Sequence, residues 1–323
     1  MKKRARTRGR PGGGLKTAPK RARRPAQRTA RRAVSGYSGG KRLSAGGSGR
    51  RGQGQAGTRL RRVGKNGEAM VSGSRKGTLS VVVCARNEEG TLPAVLREAV
   101  RLQPEELIVV LNGCTDGSFE AAKNVRGATV IQLPEPAGHD VGRGIGAKLS
   151  RGDIILFLDG DMAIPAASLA PFAAAVDQGT DVALNRIDPL LPPFAASDGV
   201  TRCKQFLNMA LGRADLGAAS MTAVPHALSR RAVQKLGSAV LAVPPKAQAA
   251  AMLAGLRVEA VHTVDVLARN RKRTGNTGED NAVSRLIAGD HAEALAEAIQ
   301  ASGGRLLEPG SRRPELAAWR NAL

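Results

Sequence analysis

Two aspartates separated by one glycine, Asp159 and Asp161, end an unbroken apolar run that begins at Ile154. An apolar run that stops at a polar turn is typical of a buried strand in a parallel sheet, and ligands gather at the carboxyl ends of such strands. If the two-residue period of the strand continues, both carboxylates point the same way, and Gly160 lets a ligand approach the backbone. The pattern predicts a seat for a hard divalent cation.

The elements that must position these aspartates follow from hydrophobic patterning and turn residues. Strands are expected at 79–84, 106–111, 129–133, 154–158 and 258–264, and helices are expected at about 91–102, 118–125, 199–211 and 280–301. Strands and helices that alternate at this spacing predict an α/β fold with right-handed crossovers. We therefore expect a Rossmann-like, mainly parallel sheet flanked by helices.

A glycine-rich stretch, 138–148, precedes the aspartates and contains Arg143 and Lys148. Glycines before a helix, together with two cations, could hold a diphosphate through backbone N–H groups and charge. The same glycines fit a turn that packs a helix on the sheet. Glycine spacing alone does not decide between the two interpretations.

Four motifs in order resemble one known family. They are the strand followed by Ala85-Arg86-Asn87-Glu88-Glu89, the strand followed by Asn112-Gly113-Cys114-Thr115-Asp116-Gly117-Ser118, the glycine-rich helix, and the strand that ends in Leu158-Asp159-Gly160-Asp161. Together they resemble the family 2 glycosyltransferases, which have the GT-A nucleotide-sugar fold, over about residues 79–264. The resemblance implies an inverting transfer of a sugar from a nucleoside diphosphate sugar donor to an acceptor.

The resemblance also implies a role for each motif. The nucleotide-sugar would be bound by Ala85, Arg86, Asn87, Glu88, Asn112, Arg143, Lys148, Asp159 and Gly160. Asp159 and Asp161 would form the family's Asp-any-Asp motif, with Asp161 on a Mn²⁺ or Mg²⁺ that bridges the diphosphate. Such an ion neutralises the charge that gathers on a departing nucleoside diphosphate. His262, at the end of a late strand, would be a further metal ligand.

Two departures from the family pattern affect these expectations. Asn112 follows Leu111 where the family commonly has paired aspartates, and residues 243–248 contain no acid where many members carry a catalytic base. We therefore assign no base. Glu279 and Asp280 form an acidic pair, but Thr277 with Asp280 fits a helix capping box better. An ionised acceptor such as a phosphate would need no base, so lipid phosphates and phosphorylated small molecules join saccharides as candidate acceptors.

Two histidines have less specific patterns. His226 could lie near the reacting sugar, although a lone histidine is more often a hydrogen-bonded structural residue. His291, beside Asp290 on the last expected helix, is expected to form a surface pair.

The charge of the 323-residue chain is concentrated at one end. Residues 1–77 contain 24 Lys and Arg and one acid, Glu68, whereas the remainder contains 26 basic and 26 acidic residues. Few large apolar residues in 1–77 predict a disordered, Arg/Gly-rich basic tail. The tail could bind nucleic acid or an anionic membrane surface, or be only a solvated arm. A start at Met70 is another option.

The rest of the composition fits a globular protein. We expect a GT-A-like domain at 78–270 and a C-terminal helical extension at 271–323. No apolar run is long enough to span a membrane, and no secretory signal is apparent, so a cytoplasmic location is expected, with peripheral attachment to the membrane as an option. Three cysteines without metal-type spacing indicate reduced thiols.

Two further functions stay open beside the transferase. The missing acid would permit a GT-A-like module that binds a nucleotide-sugar without catalysis. The basic tail would permit a protein that acts by binding nucleic acid or an anionic surface.

Overall fold

The structure, a computed structural model, describes residues 60–61, 70–71, 75–268, 281–303 and 306. Most of the predicted basic tail lies outside these residues, as do Thr277, Glu279 and Asp280 of the predicted capping box.

The described strands fall into a short pair and a large sheet. They are β1 (Leu60–Arg61), β2 (Met70–Val71), β3 (Leu79–Ala85), β4 (Glu106–Asn112), β5 (Ala128–Leu133), β6 (Ile154–Asp159), β7 (Val182–Asn185), β8 (His226–Ser229) and β9 (Val258–His262). The helices are α1 (Leu92–Arg101), α2 (Ser118–Lys123), α3 (Val141–Leu149), α4 (Ala166–Asp177), α5 (Gly199–Ala210), α6 (Arg230–Leu236), α7 (Pro244–Leu253) and α8 (Ala282–Ala301).

The large sheet has seven strands in the order β5-β4-β3-β6-β8-β7-β9. Neighbouring strands are parallel except at β8, which runs antiparallel to both β6 and β7. The carboxyl ends of β3, β4, β6, β7 and β9 therefore meet at one edge of the sheet. This mainly parallel, helix-flanked sheet confirms the predicted fold class.

The sheet buries apolar side chains on both faces, which explains why its central strands are apolar without interruption. Leu156 and Leu158 of β6 belong to the cluster that includes α1 and α4, whereas Ile155 and Phe157 belong to the cluster on the other face. Successive residues of a strand point to opposite faces, so each layer receives every second residue.

Helix α3 packs directly against the sheet because two of its glycines face β3. A Cβ at Gly146 would overlap the Val82 side chain, and a Cβ at Gly142 would stand 2.9 Å from Cys84 Sγ. The glycine pattern of α3 is thus required for packing the helix on the sheet.

The edge strand β9 has two carbonyl oxygens covered by arginines. The Arg186 guanidinium donates to the carbonyl oxygen of Ala260, and Arg213 Nη2 donates to that of Val258 at 2.8 Å. Arg213 also pairs with Asp215. These contacts satisfy backbone groups that have no neighbouring strand.

The folded part begins before the predicted boundary at residue 78. Arg75 Nη1 donates to the carbonyl oxygen of Leu102, and the backbone N–H groups of Lys76 and Gly77 donate to Asp177. Farther upstream, β1 pairs antiparallel with β2, a contact that the prediction of disorder over 1–77 did not include.

Helix α8 represents the predicted C-terminal extension. Its N-cap is Asn281, whose Oδ1 accepts from the Ser284 N–H at 2.9 Å, so the N-cap lies four residues beyond Thr277, the N-cap of the predicted capping box. Ala294 of α8 packs with Leu207 of α5 and Ala249 of α7. No helix in the described ranges is long and apolar enough to cross a membrane.

Candidate functional site

A cleft of about 330 Å³ opens at the carboxyl edge of β3, β4 and β6. Cavities of this size are common for small-molecule sites. The cleft is lined by Cys84, Ala85, Arg86, Glu88, Asn112, Pro136, Gly138, His139, Asp140, Gly142, Arg143, Asp159, Gly160, Asp161 and Val283.

The loop after β3 and the loop after β4 brace each other at the mouth of the cleft. Asn87, which has a φ of 56°, accepts a hydrogen bond from the Thr115 N–H at 2.8 Å through Oδ1. Glu89 Oε2 accepts from the Gly117 N–H at 2.8 Å, and the Glu89 N–H donates to Asp116. Asn87 is therefore engaged between the loops and is not among the residues that line the cleft.

Glu88 lies beneath Ala85 and Arg86, the other lining residues of the first motif, and is nearly fully buried. Its backbone N–H donates to Ser118 Oγ at 2.8 Å, and its carboxylate accepts from the Thr91 hydroxyl at 2.8 Å. Glu88 thus ties the first loop to the start of both α1 and α2.

Asn112 uses both ends of its amide to fix the far wall of the cleft. Its Nδ2 donates to the Gly138 carbonyl oxygen at 2.6 Å, and its Oδ1 accepts from the Ala137 N–H at 2.9 Å. A carboxylate could accept the second bond but could not donate the first. The asparagine that departs from the family pattern therefore has a clear structural role here.

Arg143 is buried at the back of the cleft and joins three parts of the chain. Its guanidinium lies 3.1 Å from Asp140 and 3.5 Å from Asp159, and Nη1 donates to the Met221 carbonyl oxygen at 2.9 Å. These carboxylates raise the pKa of Arg143 despite its burial, and Arg143 in turn helps to hold the pKa of Asp140 below its usual range against the opposing effect of burial. A fixed positive charge thus stands behind the aspartates.

Asp159 and Asp161 both line the cleft. Asp159 is the last residue of β6, opposite Cys84 of β3, and about a third of its side chain is exposed. The Gly160 N–H donates to the Cys84 carbonyl oxygen at 2.7 Å, and a Cβ at Gly160 would stand 2.6 Å from the Cβ of Ala85. Only glycine fits between the two strand ends.

Two predicted site residues are placed elsewhere. Lys148 is exposed near the C-terminal end of α3, and it does not line the cleft. The His262 ring packs edge-on against the ring of Phe172 in α4, with ring centroids 6.1 Å apart. His262 does not line the cleft either.

His226 is a buried structural residue, the more common of the two interpretations. Its ring stacks on Phe157 with centroids 5.1 Å apart, and Nδ1 lies 3.0 Å from the Ala223 carbonyl oxygen. Burial and then the positive charge of Arg143 lower the pKa of His226 to about 3. The ring is neutral at physiological pH and cannot contact a sugar in the cleft.

Several residues of the cleft had no assigned role in the sequence motifs, among them His139, Asp140 and Val283. His139 Nδ1 lies 3.2 Å from Asp140 Oδ2, and this hydrogen bond raises the pKa of His139. A His-Asp pair directly before a glycine-rich helix was the available signal. Val283, by contrast, reaches the cleft from α8, about 120 residues away in sequence, and no local pattern marks it.

The carboxylates of Asp159 and Asp161 fit a hard divalent cation whose other ligands would come from a bound substrate and water. In the part of the chain that the structure describes, no three His, Cys, Asp or Glu side chains form a metal-binding group. Asp159 and Asp161 offer two carboxylates. Mg²⁺ is commonly held by one or two carboxylates together with substrate phosphates and water, so the pair is sufficient.

Comparison with known proteins agrees with this geometry. Residues 80–191 match the family model of glycosyl transferase family 2. Glucosyl-3-phosphoglycerate synthase of Mycolicibacterium paratuberculosis is 31% identical over 150 residues, which are 43% of this chain and 40% of that protein. The chain thus aligns with less than half of the length of this relative.

Solved structures show the same fold. Glucosyl-3-phosphoglycerate synthase of Mycobacterium tuberculosis in complex with uridine diphosphate has a TM-score of 0.50 at 20% identity, over 68% of this chain and 81% of that chain. Its complex with phosphoglyceric acid has a TM-score of 0.50 at 18% identity, over 69% and 80%. Motifs, matched segment and fold agree: residues 80–191 match glycosyl transferase family 2, and the chain shares the fold of these solved structures.

Proposed function

We propose that this protein is a metal-dependent glycosyltransferase that moves a sugar from a nucleoside diphosphate sugar to a small acceptor. One observation carries the proposal: Asp159 and Asp161 both line the cleft at the carboxyl edge of the sheet, with the Arg143 guanidinium 3.5 Å from Asp159. This is where ligands of open α/β sheets bind.

Each part of the cleft has a role in this reaction. Arg86 and the buried Glu88 lie where the base and ribose enter, and Asn112 keeps the opposite loop in place. Asp159 and Asp161 supply oxygen ligands, and Arg143 fixes the orientation of Asp159. A bound Mn²⁺ or Mg²⁺ would neutralise the charge that develops on the departing diphosphate.

The finer assignments follow the relatives. Uridine diphosphate is bound in one similar structure and phosphoglyceric acid in another. We propose a uridine diphosphate sugar as the donor and a small phosphorylated acid as the acceptor, with inversion at the sugar carbon. Residues 243–248 supply no carboxylate. Their polar side chains are already engaged, since Lys246 pairs with Glu293 and Glu297 and the buried Gln248 forms hydrogen bonds through its amide. An ionised phosphate or carboxylate oxygen of the acceptor has no proton to lose, so its attack on the sugar carbon would need no protein base and would suit this chain.

The test is turnover by the full chain and by Asp161→Asn. With uridine diphosphate sugars, Mn²⁺ and phosphoglycerate, we expect release of uridine diphosphate that falls about 100-fold or more in the variant, because a metal-binding carboxylate acting on transition-state charge is lost. Coupled detection of the released nucleotide provides the measurement.

Asp265→Asn is the matched control, since Asp265 is an exposed carboxylate outside the cleft. It should retain wild-type turnover. Metal-stimulated turnover that persists in Asp161→Asn would remove Asp161 from the mechanism.

A second function is favoured by the absence of a carboxylate from the first turn of α7. The domain would then bind a nucleotide-sugar without transferring the sugar. Saturable, metal-dependent binding of the nucleotide-sugar, with no product from any acceptor tried, is the result that selects this function.

A further inference from the structure

His139 differs from the buried histidines of the chain because it lines the cleft and 52% of its side chain is exposed. His226 and His291 are only 1% and 2% exposed. His291 therefore does not form the surface pair with Asp290 that the sequence suggested, and its Nδ1 lies 2.7 Å from the Ile287 carbonyl oxygen. A ligand in the cleft can reach the imidazole of His139 but not those of the two buried residues.

The backbone on both sides of His139 is held in place. Before it, Gly138 has a φ of 122°, and its carbonyl oxygen accepts from Asn112 Nδ2 at 2.6 Å. After it, Asp140 is the N-cap of α3, and its carbonyl oxygen accepts from the Arg143 N–H at 3.0 Å. The imidazole is thus attached to a fixed point of the cleft rather than to a free loop.

The orientation of the ring is set by Asp140. Nδ1 of His139 lies 3.2 Å from Asp140 Oδ2, and because a carboxylate can only accept, the Nδ1 atom carries a proton. Asp140 is itself buried, and its Oδ1 lies 3.1 Å from the Arg143 guanidinium. No second hydrogen bond of the His139 ring occurs among the described residues. A carboxylate that holds Nδ1 leaves Nε2 for a ligand.

The charges around the ring favour its protonated form. The hydrogen bond to Asp140 raises the pKa of His139, and the negative charges of Asp140 and Asp159 act in the same direction, against burial and the charge of Arg143. A protonated imidazole donates from both nitrogens. The field of Asp159 at the ring also indicates that His139 lies on the side of the cleft that holds the aspartates.

Few other side chains of the cleft have N–H groups to offer to an anion. The Arg143 guanidinium is 4% exposed and is engaged by two carboxylates and a carbonyl oxygen. The amide nitrogen of Asn112 is bonded to Gly138. Among the described residues that line the cleft, Arg86 and His139 remain as side-chain donors open to a ligand, and they stand on different loops.

We propose that Nε2 of His139 donates a hydrogen bond to the diphosphate of the bound nucleotide and stabilises it as the sugar leaves. This inference rests on the proposed function. As the acceptor oxygen bonds to the sugar carbon, the bond from that carbon to the diphosphate oxygen breaks, and its electron pair stays on the diphosphate. A charge-assisted hydrogen bond strengthens as that negative charge develops, and it requires no proton transfer.

The experiment compares binding of a nucleoside diphosphate and of its nucleoside by calorimetry, in the presence of Mn²⁺. Uridine, guanosine and adenosine diphosphates are first titrated into the full chain, and the one that binds best is used with its own nucleoside. In His139→Ala the affinity for the diphosphate should fall about tenfold, because a charge-assisted contact is lost, while the affinity for the nucleoside should not change. His139→Gln, whose amide keeps an N–H donor, should retain part of the diphosphate affinity.

Glu135→Ala is the matched control, since Glu135 is an exposed residue four positions before His139 and does not line the cleft. It should bind both ligands as the wild type does. Three results overturn the proposal: equal diphosphate affinity in His139→Ala and wild type, an equal loss for nucleoside and diphosphate, or no binding of any of the three diphosphates up to about 5 mM.

Turnover measured on the same proteins separates this inference from the proposed function. If diphosphate binding depends on His139 but no acceptor receives a sugar, the proposed function fails and the contact of His139 stands. If the sugar is transferred while His139→Ala binds the diphosphate as the wild type does, the proposed function stands and the inference fails.

Discussion

At the scale of single residues, His226 makes stability depend on pH in a defined direction. Its pKa is about 3 in the folded protein, compared with about 6.5 in an unfolded chain. Between these values the unfolded state binds a proton that the folded state does not, so the free energy of unfolding rises with pH. The contribution of His226 is complete above about pH 6.5 and is lost as pH falls, by up to about 1.4 kcal/mol per pH unit.

Chemical denaturation at pH 6.5 and pH 4.5 tests this dependence. In His226→Asn, whose amide can still donate to the Ala223 carbonyl oxygen, the fall in unfolding free energy should be smaller than in wild type. Other titrating groups, including His291, are present in both proteins and cancel in the difference. Parallel pH dependence in the two proteins would contradict the assignment.

The residues of the cleft also show which parts of a site a sequence can reveal. Asp159 and Asp161 were predictable because they follow directly from the end of one strand. The ion pair of Arg143 with Asp159 depends on how α3 packs across the sheet, and the position of Val283 in the cleft depends on how α8 packs on the rest of the domain. The predicted role of His262 depends on tertiary packing in the same way, because a strand end locates a residue at the edge of the sheet but not on a particular face.

At the scale of elements, the space around two helical glycines, Gly146 of α3 and Gly289 of α8, predicts opposite effects of their substitution by alanine. In Gly146→Ala the new Cβ would overlap Val82, so either the helix or the strand must shift, which should cost about 1–3 kcal/mol of unfolding free energy. Gly289, inside α8, has open space around it. Gly289→Ala should stabilise the protein by about 0.5–1 kcal/mol, because alanine loses less backbone entropy in a helix.

Urea denaturation of the two variants and the wild type provides the comparison. Equal stability of Gly146→Ala and wild type would show that α3 does not need its close approach to the sheet.

The helices and strands with the strongest hydrophobic patterns were predicted most accurately. The expected strands at 79–84 and 106–111 agree with β3 and β4 to within a residue at each end, because two-sided burial makes them apolar throughout. The expected helix at 199–211 agrees with α5, whose N-cap Asp198 accepts from the Thr201 N–H at 2.7 Å. Strands β7 and β8 have four residues each, too few for a periodic signal, and the antiparallel direction of β8 follows from tertiary packing.

At the scale of the whole molecule, most of the excess positive charge lies in the N-terminal segment. Residues 1–59 contain 19 of the 50 Lys and Arg residues and no acid. We expect the full chain to bind duplex DNA or anionic vesicles with an affinity that falls steeply as salt rises, because counterions are released. A variant that lacks residues 1–59 should lose this binding while it keeps strand β1.

Titration with labelled DNA and with vesicles at two salt concentrations measures the effect. The shortened chain should bind uridine diphosphate as the full chain does, which serves as the folding control. Equal DNA and vesicle binding by the two proteins would place the anion affinity in residues 60–323, and no binding by either would leave 1–59 as a solvated arm.

The arginines on β9 have a consequence for the protein at high concentration. An outermost strand with free carbonyl oxygens is a template on which another polypeptide can add a strand, the first step toward amyloid. Arg186 and Arg213 occupy the outward carbonyl oxygens of Ala260 and Val258 and place positive charge along that rim. Because these two carbonyl oxygens are occupied, we expect another chain to add to β9 less readily, and fibril growth at high protein concentration to be slower.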